Sequence, residues 1–171
     1  DPLTRIETIS DSEINFKKVG FTTDLPEEKK IHYKLIKNDI LLSHINSDLH
    51  VGKTAIFEAQ KDLYHGINLL LLRPNPLVSA GYINLWLNQI RLSGYFLTIA
   101  QHAIGQSSIN QKQIIEIKLP LPPLAEQHRI VAKVDELMAL CDELEQEQES
   151  SLDTHDTLVA TLLGSLTTAT A

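Results

Sequence analysis

The stretch Lys118-Leu119-Pro120-Leu121-Pro122-Pro123-Leu124-Ala125-Glu126-Gln127 divides the chain in two. Prolines at 120, 122 and 123 lack amide donors and hold φ near −65°, so they cannot continue a helix or a central strand. The segment is expected to run extended and then launch a helix. Pro122 or Pro123 suits the first turn, and Glu126 stands where the helix dipole favours an anion. Downstream, Ile130, Val134, Leu137, Cys141 and Leu144 recur at spacings of 4, 3, 4 and 3, the seam of a coiled coil. Val131, Met138 and Leu140 widen that stripe beyond what a lone solvated helix carries. After a wholly polar run from Glu145 to Ser151, apolar spacing returns at Leu152, Val159, Leu162, Leu163 and Leu166, with a fraying tail expected beyond. An unbroken helix over 124–166 is about 64 Å long at 1.5 Å per residue. Packing against its own domain covers only part of such a helix, so it calls for a second helix as partner. An antiparallel twofold pair buries the same seam on both copies.

Upstream of the prolines the pattern mixes strands and helices. Tyr33-Lys34-Leu35-Ile36 leads into a turn at Lys37-Asn38-Asp39, and Ile40-Leu41-Leu42-Ser43 reads as a buried strand. Lys53-Thr54-Ala55-Ile56-Phe57 and Asn68–Arg73 are two more strands, with a polar loop from His44 to Gly52 before the first of them. Residues 80–93 have helical spacing through Ile83, Leu85, Trp86, Leu87 and Ile90, and 95–100 begin another apolar helix. A loop is expected over Gln101–Ser108, and Asn110 caps a short helix over 111–116. The fold class is therefore α+β: a small mixed α/β domain, 1–119, followed by a junction and one long helix, 120–171.

The net charge of −7 hides an asymmetry. Residues 1–118 hold 13 Lys and Arg against 12 Asp and Glu, whereas 119–171 hold 2 against 10. Within the first part, 29–118 carry a net of +5. A mildly basic body is joined to a strongly acidic helix, a split that suggests two different partners, although a solvated acidic helix beside an ordinary domain has the same charge pattern. The apolar run Ile67–Leu72 is too short to cross a bilayer, and no membrane partner is expected. The first residues carry no basic-then-apolar leader pattern, and a single cysteine, Cys141, excludes an internal disulfide; both point to the cytoplasm.

Catalytic and cofactor motifs fail on inspection. Val51-Gly52-Lys53-Thr54 imitates the end of a phosphate-binding loop, but Ser47 stands where that loop needs a glycine, so a glycine between two strands is the simpler account. His44, His50 and His65 match no zinc spacing, and no metal or cofactor is expected. Ser43, His44 and Asp48 form a catalytic set only on paper, since residue types without geometry carry no weight. Asn75-Pro76-Leu77-Val78 fails the adenine-methyltransferase motif at its later positions, and Asp48, Glu58 and Lys61 do not fit a nuclease pattern.

A family resemblance enters at Ile117–Gln127 running into Arg129-Ile130-Val131-Ala132-Lys133-Val134-Asp135-Glu136-Leu137. This block resembles the specificity (S) subunit of type I restriction–modification systems, at the junction of a target recognition domain and its spacer helix. Lys37-Asn38-Asp39-Ile40-Leu41-Leu42 is similar to the family's Gly-Asp-Ile-Leu strand, with Asn38 in place of the usual glycine. His44-Ile45-Asn46-Ser47, Val51–Ala55 and Gly105–Asn110 are similar to further recurrent segments, so the likeness covers about 31–145. The family's opening strand is not evident.

The resemblance implies a subunit with two target recognition domains, each reading half of a split DNA site, separated by two antiparallel helices. Those helices set the half-site spacing and hold methyltransferase subunits, which recruit restriction subunits; the S subunit catalyses nothing. This chain carries one such domain and one such helix, and Leu162–Thr167 resembles the segment just after the family's first domain, which implies the amino-terminal half. Double-stranded DNA is then the partner of the basic body, with phosphate contacts from Lys17, Lys18, Lys53 and Lys112. Base-reading candidates are His44, Asn46, Ser47, His50, Gln106, Ser107 and Gln111, with Asn and Gln suited to adenine. Each is equally suited to turn or capping duty, Asn110 is better read as a cap, and Tyr64-His65 is a candidate stacking or groove-wall pair. Ile130, Val134, Leu137, Cys141 and Leu144 would pair the helix with a second helix, which in an isolated half is that of a second copy. Two rivals remain: a protein-interaction scaffold built on the acidic coiled coil, and an enzyme accessory domain.

Overall fold

A computed structural model describes every residue except Asp11, Asp24, Ala59, Gln60, Thr170 and Ala171, and every described side chain except Lys29 and 162–169. The strands are β1 (Pro2–Leu3), β2 (Ile9–Ser10), β3 (Glu13–Ile14), β4 (Gly20–Phe21), β5 (Ile40–Leu42), β6 (Ile45–Asn46), β7 (Thr54–Ile56), β8 (Leu70–Leu72), β9 (Gln101–Ala103) and β10 (Gln106–Ser108). The helices are α1 (Glu27–Tyr33), α2 (Ala80–Leu92), α3 (Tyr95–Ile99), α4 (Gln111–Ile115) and α5 (Leu124–Ala169). Two compact units result, Asp1–Arg129 and Ile130–Ala171, with the opening turn of α5 in the first.

In the first unit the organising element is β5. It pairs antiparallel with β7 on one side and β8 on the other, placing Ile40 opposite Ile56 and Leu72, and Leu42 opposite Thr54 and Leu70. All three β5 side chains are buried because both sheet faces are covered. On one face Leu41 packs with Ile9, Leu35, Ala55, Phe57, Leu63 and Leu69. On the other, Ile40 and Leu42 meet Val51, Ala80, Leu87, Phe96 and Ile109. Strand alternation thus splits one apolar run between two cores.

The turn entering β5 explains the Asn38-Asp39 pair. Asn38 has φ 72°, in the left-handed region that glycine enters most easily and asparagine next. Asp39 is buried; it accepts from Ile36 N–H at 2.9 Å and from the Arg73 guanidinium at 2.8 and 2.7 Å. That two-pronged pair ties the turn to the end of β8 and raises the Arg73 pKa, chiefly through the Asp39 hydrogen bond. Gly52 has φ +80°, and a Cβ there would fall 2.1 Å from the Phe96 ring, so its place between β6 and β7 is steric.

The proline junction is latched to α2. Tyr82 O–H donates to Pro120 O at 2.8 Å. Buried Gln127 accepts from Ser79 N–H at 2.8 Å and donates to Pro122 O at 2.8 Å. The carbonyl of Pro123 accepts from Glu126 and Gln127 N–H, so the helix starts directly after the prolines. In the second unit α5 continues without a break, and Leu137, Met138, Leu140, Leu144, Leu152, Leu158 and Val159 are exposed. Its backbone is helical to Ala169, beyond the expected fraying point; the expected apolar contacts of Leu162, Leu163 and Leu166 lie outside the described side chains.

Three local readings need correction, and α1 and the amino-terminal strand pairs are elements that no pattern announced. Gln101–Ser108 is a hairpin, β9–β10, turned at Ile104-Gly105 with Gly105 at φ +72°. The 44–52 loop contains β6, which pairs with β10. Residues 27–33 form α1, and the first 21 residues fold into two-residue pairs, β1 with β4 and β2 with β3. Tyr64 is buried, and His65 stacks on Tyr33 at 6.1 Å and hydrogen-bonds Leu69 O at 2.7 Å, so this pair is structural. Elements this short carry too few residues to show a period.

Candidate nucleic-acid interface

The sheet β6–β10–β9 joins two segments that are some sixty positions apart in sequence. Asn46 lies opposite Ser107, Ile45 opposite Ser108, and Ile109 N–H donates to His44 O at 2.8 Å. Most of the base-reading candidates therefore sit on one small polar sheet and its loops.

Beside it runs a cleft of about 290 Å³ lined by Ile6, Glu7, Ile9, Ser10, Lys18, Ser43, Asn46, His50 and Lys53. It collects Lys18, Lys53, Asn46 and His50 from three segments. Its outer wall comes from the amino-terminal residues, held by Thr8, whose Oγ1 accepts from Arg5 N–H and donates to Lys18 O. Ile6 and Glu7 were invisible as lining residues in the sequence, because nothing in their pattern marks a wall.

The lysines differ in how free they are. Lys30 pairs with Asp1 and Glu27, Lys34 with Asp62, and Arg73 with Asp39. Lys17, Lys18, Lys53 and Lys112 form no ion pair among the described residues. A cation without an internal partner keeps its charge for a ligand, and these four are the candidates for phosphate contact. Lys17 stands on the 3-10 turn Phe16–Lys18, while Gln111 and Lys112 open α4, outside the cleft.

Among the base-reading candidates, hydrogen-bonding capacity varies. Asn46 donates one Nδ2 hydrogen to Ser43 Oγ at 3.1 Å and accepts from Ser47 N–H at 2.9 Å, leaving a donor and an acceptor. Ser47 Oγ contacts His50 Nδ1 at 2.8 Å, leaving His50 Nε2 without a partner among the described residues. Gln106 and Gln111 are exposed. His44 is half-buried, with Nδ1 shielded from solvent and unpartnered; burial first, then the nearby His65, lowers its pKa and favours the neutral ring. Ser107 is fully buried, its O–H donating to Asp48 and its Oγ 2.8 Å from His102 Nδ1. As expected, Asn110 caps α4, in reciprocal bonds with Gln113.

Asp48, Ser107 and His102 are the cluster that the sequence concealed, since the partners lie far apart. They do not form a hydrolytic triad. That mechanism needs the histidine between serine and aspartate; here the serine lies between the other two, and it is inaccessible. Among the described residues no three His, Cys, Asp or Glu side chains gather as a metal requires, and no helix is long and apolar enough to cross a membrane.

An α+β body with a two-faced central sheet, a polar side sheet and a latched long helix is an architecture with known counterparts. Residues 2–154 match the type I restriction modification DNA specificity domain, and the chain belongs to that family. The MjaX type I restriction enzyme specificity subunit of Methanocaldococcus jannaschii is 50% identical over 131 residues, 75% of this chain and 31% of that protein. The EcoEI specificity subunit of Escherichia coli is 33% identical over 168 residues, 96% of this chain and 27% of the relative. Of solved structures, a chain from a type I restriction–modification system superposes with a TM-score of 0.66 at 20% identity, over 88% of this chain and 34% of the other. The HsdS subunit of Thermoanaerobacter tengcongensis gives 0.57 at 22% identity, over 83% and 30%. This chain thus spans about a third or less of each of these proteins.

Proposed function

We propose that this chain reads one half of a bipartite DNA target as part of a type I specificity subunit, corresponding to the amino-terminal half. One observation carries the reading beyond family membership: Lys18 and Lys53, free of ion pairs, meet Asn46 and His50 in one cleft. The lysines bind phosphate regardless of sequence, while Asn46, His50 and the exposed Gln106 supply oriented donors and acceptors for base edges. Lys17, Lys112 and Gln111 extend the footprint, and His44 and Ser47 shape it. The chain does no covalent chemistry in this reading and needs no cofactor. Modification is left to methyltransferase subunits held on α5, and cleavage to restriction subunits recruited through them.

The exposed stripe on the second unit suits such docking, and in an isolated half it suits a twofold dimer. Leu137→Glu or Leu144→Glu is expected to convert the dimer to a monomer while leaving the body folded. Sedimentation reads this directly, and an unchanged mass for both variants rejects pairing through this seam.

Selection from randomised duplexes at moderate salt tests the central claim. A short enriched half-site, or two inverted copies at fixed spacing, is the expected result. No enrichment from a sample that also binds purified methyltransferase subunit would favour the interaction scaffold instead.

A further inference from the structure

We propose that Asp48, Ser107 and His102 form a polar lock that fixes the 44–50 loop against the 101–108 hairpin and thereby determines which DNA sequence is selected. The proposal rests on the DNA-recognition reading above and assigns these three residues a positioning role. The backbone alone holds the two segments weakly. Two residue pairs and the Ile109 N–H to His44 O bond join the segments, and all three residues of β9 are exposed, so beyond Ile109 at its foot little apolar burial secures the hairpin. Its tip is bare as well, with Ile104 fully exposed beside Gly105.

Side chains supply what the backbone lacks. Ser107, the one fully buried residue of the hairpin, donates its O–H to Asp48 on the opposite loop. His102 Nδ1 lies 2.8 Å from the same Ser107 Oγ and 3.7 Å from Asp48 Oδ1. His102 Nε2 donates to Leu97 O at 2.9 Å, which ties the hairpin back to α3. Asp48 also sits between Asn46 and His50, so a shift at Asp48 moves both cleft residues. Gln106 precedes Ser107 and moves with the hairpin. An acid on a DNA-facing surface opposes phosphate binding, so its value there lies in geometry.

The test compares Asp48→Ala, Asp48→Asn, Ser107→Ala and His102→Ala in the purified chain. Asp48→Ala and Asp48→Asn remove the same charge, but asparagine retains an acceptor for Ser107 O–H. The first readout is amide hydrogen exchange across 101–108 in the free protein, expected to quicken about tenfold in Asp48→Ala and Ser107→Ala, as for loss of one hydrogen bond, and to stay near wild type in Asp48→Asn. The second is the ratio of affinities for the selected half-site and for random duplex. It is expected to fall about tenfold in the same two variants, with His102→Ala between, and to be rescued in Asp48→Asn. Unchanged exchange in both Asp48→Ala and Ser107→Ala overturns the lock. Faster exchange with an unaltered affinity ratio overturns its role in specificity. A wild-type chain that selects no sequence overturns the DNA reading and the specificity claim with it, while exchange still decides whether the lock exists.

Discussion

The body contains two three-stranded antiparallel sheets of opposite chemistry. In β7–β5–β8 the paired residues are Ile, Leu, Ala and Thr, and the central strand is buried on both faces. In β6–β10–β9 they are Asn, Gln, His and Ser for the most part, and only Ser107 is buried. The first sheet is held by the water it excludes, the second by named hydrogen bonds. Donors and acceptors left open to a ligand cannot also be spent on a dry core, so the first sheet carries stability and the second keeps its polar groups at the surface.

The sharpest test of that division truncates one side chain in each sheet. Leu41→Ala removes a fully buried side chain from the first core and is expected to cost about 2–5 kcal/mol, read by urea unfolding. Gln106→Ala on the exposed strand is expected to change stability by less than about 0.5 kcal/mol while weakening selection of the preferred half-site. Similar losses of stability in both variants would erase the distinction.

Next in size is the electrostatic contribution at the cleft. Lys53→Ala is expected to weaken binding to every duplex and to lower the slope of log K against log salt by about one. If the loss is confined to one sequence, Lys53 reads a base, and the division between phosphate and base contacts shifts.

The same contrast explains what the sequence disclosed. β5, β7, β8, α2, α3, the α4 cap and the long helix were legible because each shows an apolar period or a capping residue, and each owes its place to it. The hairpin at 101–108 was not, because Gln101, His102, Gln106 and Ser107 have no apolar alternation. Its pairing depends on β6 from a remote segment. Lys18, Lys53, Asn46 and His50 are legible as candidates by residue type and loop position, and their shared cleft is a product of the fold. Asp48 and His102 meet at Ser107, in a cluster that no local pattern encodes. Arg73 is similar: its pairing with Asp39 spans 34 positions.

Two half-buried histidines extend the comparison to pH. His65 and His44 both have lowered pKa values, each mainly through burial; the Leu69 carbonyl and Asp39 partly offset the effect at His65. Well above pH 6.5 both rings are neutral whether folded or unfolded, and their contribution is fully present. As pH falls below that range the unfolded chain takes up protons first, so stability declines toward the lower folded-state values. Thermal unfolding from pH 7 to 5 is expected to show this decline, shallower in the double variant His44→Gln, His65→Gln than in wild type. Equal slopes would place the acid sensitivity elsewhere.

The smallest effect concerns the turn that opens β5. Asn38 occupies the left-handed region at φ 72°, which costs an L-residue about 1–2 kcal/mol, less for asparagine. Asn38→Gly removes that cost and keeps the bond from residue 38 N–H to Phe57 O, 2.9 Å in the present turn. Glycine also loses more backbone entropy on folding, which offsets part of the gain. The balance is expected to stabilise the body by less than about 1 kcal/mol, seen as a raised urea midpoint at unchanged m-value, and to leave half-site selection untouched. Asn38→Val, branched at Cβ, should destabilise by more than glycine stabilises. If glycine instead altered selection, the Asn38 side chain would have a role at the DNA, and the turn of the apolar sheet would belong to the recognition surface as well.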